Sequence, residues 1–379
     1  MFQRHLSLIR EQRRGAAPAL QLRSAERTRR SLVCTGCRDH VRFLKRGPML
    51  ATASKCLVTG GAGFIGSHLA ERLVALGHAV RVVDNLSTGD EANLAHLADD
   101  IEFVLGDLCD ADVCRRAVAG MDVVFHVAAL PSVPRSLQDP WASHASNVNA
   151  TVRLLEACRE AKVARIVYSS SSSVYGDTPV LPKGEAVEPL PRSPYAASKL
   201  AGEQYVLAFA RAGLIEGVAL RYFNVFGPRQ SPHSAYAAVI PKFFQAVLDG
   251  GQAVVYGDGQ QTRDFTYVDN VVDANILAAT APGATASGWV VNVGAGAKTT
   301  LLRLIAMIGS VTGRELRYVC QPTRPGDVRD SLASLERAER LLGYRPQVSL
   351  EEGLRRTWTW AADGAATVAG FSLGSTQNG

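Results

Sequence analysis

The chain has 379 residues, 47% of them hydrophobic and 20% charged, with a formal net charge of +6. This length can bury a large core in two lobes, and no apolar run approaches the ~20 residues of a membrane helix. The positive charge is local: residues 1–54 carry eleven Arg and Lys45 against Glu11, Glu26 and Asp39. The rest of the chain is therefore mildly acidic and has no electrostatic footprint for nucleic acid.

Residues 1–54 form an Arg-rich extension without sustained periodicity, expected to be disordered. Two readings stand for it. Arg-rich and acid-poor is the signature of a transit peptide. Alternatively, it is upstream sequence read from too early a start, in a chain where Arg outnumbers Lys 34 to 7, as in a GC-rich genome. A chain begun at Met49 is expected to fold and work. Cys34-x-x-Cys37-x-x-His40 has metal-like spacing but only three candidate ligands and no second pair at finger distance, so no metal is expected. Seven scattered cysteines fit reduced thiols and a cytoplasmic location.

From Cys56 onward short β-branched runs alternate with helical stretches. Cys56–Thr59, Ala79–Asp84, Ile101–Leu105, Asp122–Val127, Arg165–Ser169 and Val218–Tyr222 read as buried strands. Phe64–Leu76 and Asn147–Ala161 read as amphipathic helices between them. Strand–helix alternation predicts an α/β fold, a Rossmann-type doubly wound parallel sheet, over residues 55–223. Residues 224–363 read as a smaller, mixed C-terminal substrate lobe punctuated by Pro228, Pro232, Pro241, Pro322 and Pro325. It is interleaved with the Rossmann sheet near 288–294, where Val290–Val293 reads as one more strand. Residues 364–379, small and polar, read as a disordered tail.

Thr59-Gly60-Gly61-Ala62-Gly63-Phe64-Ile65-Gly66 links the first strand to the first helix. Gly60 permits the tight turn, Gly63 lets the backbone approach a pyrophosphate, and Gly66 lets the helix pack on the strand. The helix N-terminus offers free N–H groups and the positive end of its dipole to phosphates. Asp84, ending the second strand, is the expected acceptor for the adenosine ribose hydroxyls. Its charge would repel a 2′-phosphate, so NAD is favoured over NADP. Asp107, after the third strand, is placed to reach the adenine amino group.

Tyr195-Ala-Ala-Ser-Lys199 opens a helix, and positions i and i+4 share a face. A neighbouring ammonium favours phenolate and is expected to lower the Tyr195 pKa toward working pH, making it a general acid or base. Lys199 is also expected to hold the nicotinamide ribose. The Ser-rich stretch Tyr168-Ser-Ser-Ser171-Ser-Ser-Val-Tyr175-Gly176 ends the fifth strand at the carboxyl edge of the sheet, where ligands bind.

Taken together, Gly60-x-x-Gly63-x-x-Gly66, Asp84-Asn85, Ser171–Gly176, Ser193-Pro194-Tyr195-x-x-x-Lys199 and Arg221-Tyr-Phe-Asn224-Val-Phe-Gly227-Pro-Arg229 resemble the extended short-chain dehydrogenase/reductase family. Within it the chain is similar to UDP-sugar 4-epimerases over about residues 55–360; the alternatives are another NAD-dependent nucleotide-sugar oxidoreductase, a UDP-glucuronate 4-epimerase, or a non-catalytic NAD-binding regulator on the same fold. The resemblance implies NAD as cofactor, a UDP-sugar substrate and a homodimer. The dimer would pair the helix after Tyr195 with that near Asn147–Ala161. It implies Tyr195, Lys199 and Ser171 as the catalytic set, with Ser172 and Ser173 as substrate-side neighbours. Further cofactor contacts are implied at Phe64, Ile65, Asn85, Leu108 and Ala128, with Asn149, Tyr222 and Phe223 at the nicotinamide end.

On the substrate side the resemblance implies Asn224 for the UDP phosphates and Tyr256 beside uracil. It implies Arg263 and Arg324 as a diphosphate clamp, a role suited to the planar Arg fork, and Asp327 at the nucleoside ribose. Family dehydratases and decarboxylases carry a carboxylate in the segment matching Ser171–Val174. This chain has only Ser there, which argues against both reactions. Pro131 replaces the Lys of hexose-only epimerases. The loop with Ser132 and Val133, together with Ala235–Pro241 and its Val239, looks like the subgroup acting on N-acetylated UDP-sugars. Ser331 matches the gatekeeper of the sugar pocket, where a small residue leaves room for an acetamido group.

Overall fold

The computed structural model describes residues 53–232, 238–323 and 328–374, the last ten of these by backbone alone. The Arg-rich segment to Thr52, with Cys34, Cys37, His40 and Met49, lies outside the described residues, as do Arg324 and Asp327.

Seven strands form one sheet: β1 (Lys55–Thr59), β2 (Ala79–Asp84), β3 (Ile101–Leu105), β4 (Val123–His126), β5 (Arg165–Ser171), β6 (Glu216–Tyr222) and β7 (Trp289–Val293). Their order is β7-β6-β5-β4-β1-β2-β3, and all neighbours are parallel. The chain order reverses between β1 and β4, the switch point where an open α/β sheet binds ligands at its carboxyl edge. Val290–Val293 does return to the main sheet: β7 pairs with β6 in the register Trp289↔Val218.

The helices are α1 (Phe64–Ala75), α2 (Ala111–Val118), α3 (Ala150–Glu160), α4 (Pro194–Arg211), α5 (Val239–Leu248), α6 (Val268–Thr280), α7 (Leu301–Thr312) and α8 (Leu350–Gly374). The strands are apolar on both faces because helices cover both. Val58, Phe125, Val167 and Leu220 pack with Leu69 and Leu73 of α1 and Val271 of α6. Leu57, Val124, Ile166 and Ala219 pack on the other side with Leu154 and Cys158 of α3 and Val206 of α4. Each large side chain so buried contributes about 1.5–3 kcal/mol of transfer free energy.

Polar anchors fix the helices. Arg72 of α1 pairs with Asp273 of α6 at 2.7 Å, both buried. Arg165 of β5 donates to the carbonyls of Ala278 and Ala279 at the C-terminus of α6, at 3.1 and 2.9 Å, satisfying groups that a helix end leaves open. Pro194 occupies the first turn of α4, and the Ser193 hydroxyl accepts the Ala196 N–H at 3.1 Å, a cap that sets where the Tyr195 helix begins.

Two stretches differ from the sequence expectation. The helix read as Asn147–Ala161 begins with a π-helical turn, Ala145–Asn149, before α3. The supposed tail is helical in its first part, since α8 runs to Gly374. Ala361-Ala362-Asp-Gly-Ala365-Ala366 carries enough helix propensity to continue the helix through Gly364.

Beyond β6, among the described residues, the short strands form three small two-stranded sheets: Val225–Phe226 with Thr266–Tyr267, Thr262–Arg263 with Thr299–Thr300, and Ala253–Tyr256 with Tyr318–Gln321. Val225 and Arg263 of these strands line the cleft at the carboxyl edge of the main sheet.

Candidate active site

A cavity of about 690 Å³ follows the carboxyl ends of the strands. Its floor is the turn after β1. Gly60 has φ +66°, and a Cβ there would stand 2.7 Å from Ala128 Cα in the loop after β4. A Cβ on Gly66 would stand 2.2 Å from the Gly60 carbonyl oxygen, so only glycine brings α1 this close to its own turn. No side chain caps α1 and no acidic residue lies in its first turn. Its N–H groups and dipole therefore face the cavity open to an anion. Gly63, Phe64, Ile65, Leu108 and Ala128 all line the same wall.

At the end of β2 the buried Asp84 carboxylate accepts the Ala62 and Leu86 N–H groups at 3.0 and 2.8 Å. Burial pushes its pKa up, and these donors oppose the shift. Asn85 donates to Asp107 at 2.9 Å, and the Cys109 N–H donates to the other Asp107 oxygen at 2.8 Å. Burial works to raise Asp107, but these donors outweigh it and hold the carboxyl below its ordinary value. Asp84, Asn85 and Asp107 all line the cavity. Cradle, uncapped helix and carboxylates together fit a dinucleotide without a 2′-phosphate.

Tyr195 enters the cavity beside Ser171, Ser172 and Ser173. Ser171 caps the turn Ser172–Tyr175, accepting the Ser173 N–H at 3.2 Å and bonding the Ser173 hydroxyl at 2.8 Å. Burial pushes the Tyr195 phenol up, and a hydrogen bond with Ser171 works against that rise. The expectation that Lys199 lowers Tyr195 is corrected here. Lys199 is buried behind the wall, and its Nζ lies 4.6 Å from the centroid of the Tyr168 ring. Burial pushes Lys199 down to about 7, opposed by Glu203.

Three further expected contacts fall off the cavity. Asn149 is exposed. The π-helical turn adds a residue and turns Asn147 inward, where its Oδ1 accepts the Leu130 N–H at 2.8 Å and its Nδ2 donates to Ser198 at 2.9 Å. Phe223 is fully buried and packs on Tyr175, ring centroids 6.2 Å apart, while its neighbour Tyr222 lines the cavity. Ser132 caps a short helix through Arg135 N at 3.2 Å, and Val133 lines the wall instead.

Asn224, Arg263 and Ser331 line the far end. Asn224, Val225, Ala238 and Arg263 also line an adjoining cavity of about 450 Å³, which extends to Val239 and Tyr256. The two cavities share these four residues.

The structure adds groups that sequence reasoning missed. Glu203 is fully buried; it takes Arg221 at 2.9 and 2.6 Å and the Ser170 hydroxyl at 2.7 Å. Its place four residues after Lys199 on α4 was the available signal. Lys183, in an irregular loop, lines the cavity with no such signal.

Residues 56–294 match the model of the NAD dependent epimerase/dehydratase family. A UDP-glucose 4-epimerase of Mycolicibacterium smegmatis is 42% identical over 307 residues, 80% of this chain and 97% of that protein. The UDP-N-acetylglucosamine 4-epimerase of Methanobrevibacter ruminantium, solved with UDP-N-acetylmuramic acid, superposes with TM-score 0.78 and 40% identity, covering 83% of this chain and 99% of the other. The Thermus thermophilus UDP-glucose 4-epimerase, solved with NAD, gives TM-score 0.73 and 36% identity, covering 81% and 98%. Glycine cradle, carboxylate-ended β2, Tyr195 beside Ser171 and these likenesses coincide along one sheet edge, and the chain belongs to the NAD dependent epimerase/dehydratase family.

Proposed function

We propose that the chain interconverts UDP-sugars that differ at C4, and that it takes 2-acetamido sugars at least as well as glucose. The observation that carries this is the pairing of Tyr195 with Ser171 in a cavity that Ser331 also lines. Ser331 is small and buried, so the wall leaves volume where an aromatic ring would fill it. The segment Ser171–Val174 holds no carboxylate to drive elimination or decarboxylation.

NAD, held by the glycine turn, Asp84 and Asp107, supplies a reversible hydride acceptor for C4. Tyr195 takes the proton of the sugar 4-OH as the C4–H bond breaks, leaving a 4-keto sugar. Ser171 holds the reacting oxygen. Arg263 and Asn224 retain the UDP while the ketone turns over. Tyr195 would then return its proton to the oxygen once the other face of the ketone is presented to the bound cofactor. No net oxidation occurs, and the protein contributes position and electrostatics. Arg324 and Asp327 are assigned to the diphosphate and ribose as part of the same proposal.

A homodimer through α3 and α4 completes it. Trp141 is 70% exposed and Leu137 59% exposed on short helices that pack against α4, an apolar surface that a second copy would cover. Among the described residues no helix is long and apolar enough to cross a membrane, and all five cysteines are free. The free thiols support a cytoplasmic place.

The test is NMR of the products formed from UDP-N-acetylglucosamine, UDP-glucose and UDP-glucuronate without added reductant. The expected result is a mixture of C4 epimers with no change in total NADH. Net NADH consumption would instead make the enzyme a one-way reductase.

A further inference from the structure

Lys183 is 2% exposed, yet it lines the cavity. A buried ammonium is retained only where something repays its lost hydration. Its Nζ donates to the Gly176 carbonyl at 3.1 Å, at the end of the turn that begins with Ser171. Among the described residues it has no carboxylate within ion-pair distance. The nearest opposite charges are already engaged: Asp177 holds Arg192 at 3.0 Å, and Asp330 holds Lys298 at 3.3 Å. Burial pushes the Lys183 pKa down, Asp177 opposes that shift from a distance, and repulsion from Arg263 adds to it.

The backbone fixes where this charge stands. Lys183 N–H donates to the Leu332 carbonyl at 2.8 Å, and Ser334 N–H donates to the Lys183 carbonyl at 3.0 Å. The Lys183 carbonyl also accepts Asn292 Nδ2 at 2.8 Å. The segment it pairs with is the one that carries Ser331, whose N–H donates to the Thr262 carbonyl at 3.2 Å. Lys183 therefore sits between the Ser171–Gly176 turn on one side and the Ser331 segment on the other. These walls flank the sugar in the epimerase reading, on which this inference rests.

We infer that Lys183 is a sugar-recognition residue, its ammonium donating to an acceptor oxygen on the pyranose of the nucleotide sugar. A charged donor in a water-poor pocket discriminates strongly, because a sugar lacking the acceptor leaves the ammonium unpaired. The acceptor is a ring hydroxyl or acetamide oxygen in a neutral sugar, and a carboxylate in an acidic one.

The test is calorimetric binding of UDP, UDP-N-acetylglucosamine, UDP-glucose and UDP-glucuronate to the NAD-loaded parent, Lys183→Met and Lys183→Arg. Bound NAD and the thermal midpoint serve as checks on folding. Lys183→Met should weaken UDP-sugars about 10- to 100-fold, the scale of a hydrogen bond to a charged group. UDP itself should change by less than about twofold, and Lys183→Arg should recover part of the loss. A loss confined to UDP-glucuronate assigns a carboxylate acceptor, and a similar loss for all sugars assigns a hydroxyl. Equal weakening of UDP and UDP-sugars, or no weakening of either, overturns the inference. If Lys183→Met does not retain NAD, Lys183→Arg decides: weaker UDP-sugar binding with UDP unchanged supports the inference, and equal weakening of UDP and UDP-sugars, or no weakening of either, overturns it. Binding reads Lys183 whether or not the parent turns over, so failure of the epimerase reading would show separately in the product assay.

Discussion

Tyr195 and Lys199 illustrate how burial rearranges what spacing alone suggests. The phenol has Ser171 as its partner and is pushed up by burial, while Lys199 is pushed down to about 7. Tyr195→Phe should lose at least about 100-fold in kcat, the usual scale for a proton-transfer group, with NAD still bound; near-normal turnover would remove Tyr195 from the mechanism. Lys199 carries a separate, stability-based prediction. Its folded pKa lies below its unfolded one, so between pH 7 and the ordinary lysine range the unfolded chain binds the extra proton and stability rises with pH. Lys199→Met abolishes that dependence. In NAD-stripped protein the variant should exceed the parent by at least about 1 kcal/mol at pH 6, with the gap closing toward pH 10. Thermal unfolding at both pH values checks it; a gap independent of pH would refute it. Ser331→Tyr should cut kcat/KM for the acetamido sugar far more than for glucose, and equal losses on both would place the gate elsewhere.

Among the elements, the β1 turn and α4 were legible in advance and the substrate wall only in part. Gly60, Gly63 and Gly66 could be given separate tasks because a missing side chain has a steric meaning at fixed spacing. Gly66→Ala should abolish NAD binding, since its Cβ would collide with the Gly60 carbonyl oxygen at 2.2 Å; retained NAD in a purified variant would contradict this. The strands were readable because double burial gives continuous apolar runs, but their ends were not, and β5 gained Ser170 and Ser171. Asn149 was misplaced because a π-helical turn is invisible to a 3.6-residue period. Lys183 was missed because its position depends on pairing with residue 333, about 150 positions away, which no local pattern encodes. Glu203 and Arg221 form the buried pair under the active-site turn. Glu203→Gln should cost about 3–5 kcal/mol in urea unfolding, the scale for an uncompensated buried charge.

At the scale of the whole molecule, β7 and α6 tie the C-terminal part of the chain to the Rossmann sheet. β6 takes β7 along its open edge, and α6 covers the face that α1 leaves bare. A chain ending at Phe223 should therefore neither fold cooperatively nor bind NAD, although it contains the complete glycine fingerprint. The full chain should unfold in urea in a single transition by both fluorescence and circular dichroism. Two separated transitions would show that the lobes are thermodynamically independent. Light scattering at micromolar concentration should give a dimer, and Trp141→Glu should shift it toward monomer.

The spacing of two bridges in the 328–334 segment bears on how the substrate range of such a protein can change. The segment is held to Thr262 on one side and to Lys183 on the other by backbone bonds, with Thr262 opposite Asp330 and Lys183 opposite Ala333. Point substitutions at position 331 leave these backbone bonds in place. A one-residue deletion between the two bridges would instead break one of them, displacing Ser331 or Lys183 from the cavity wall. Libraries intended to diversify specificity here should vary composition and hold length constant, and natural lineages that drift in substrate should show the same preference for replacement over insertion or loss in this segment.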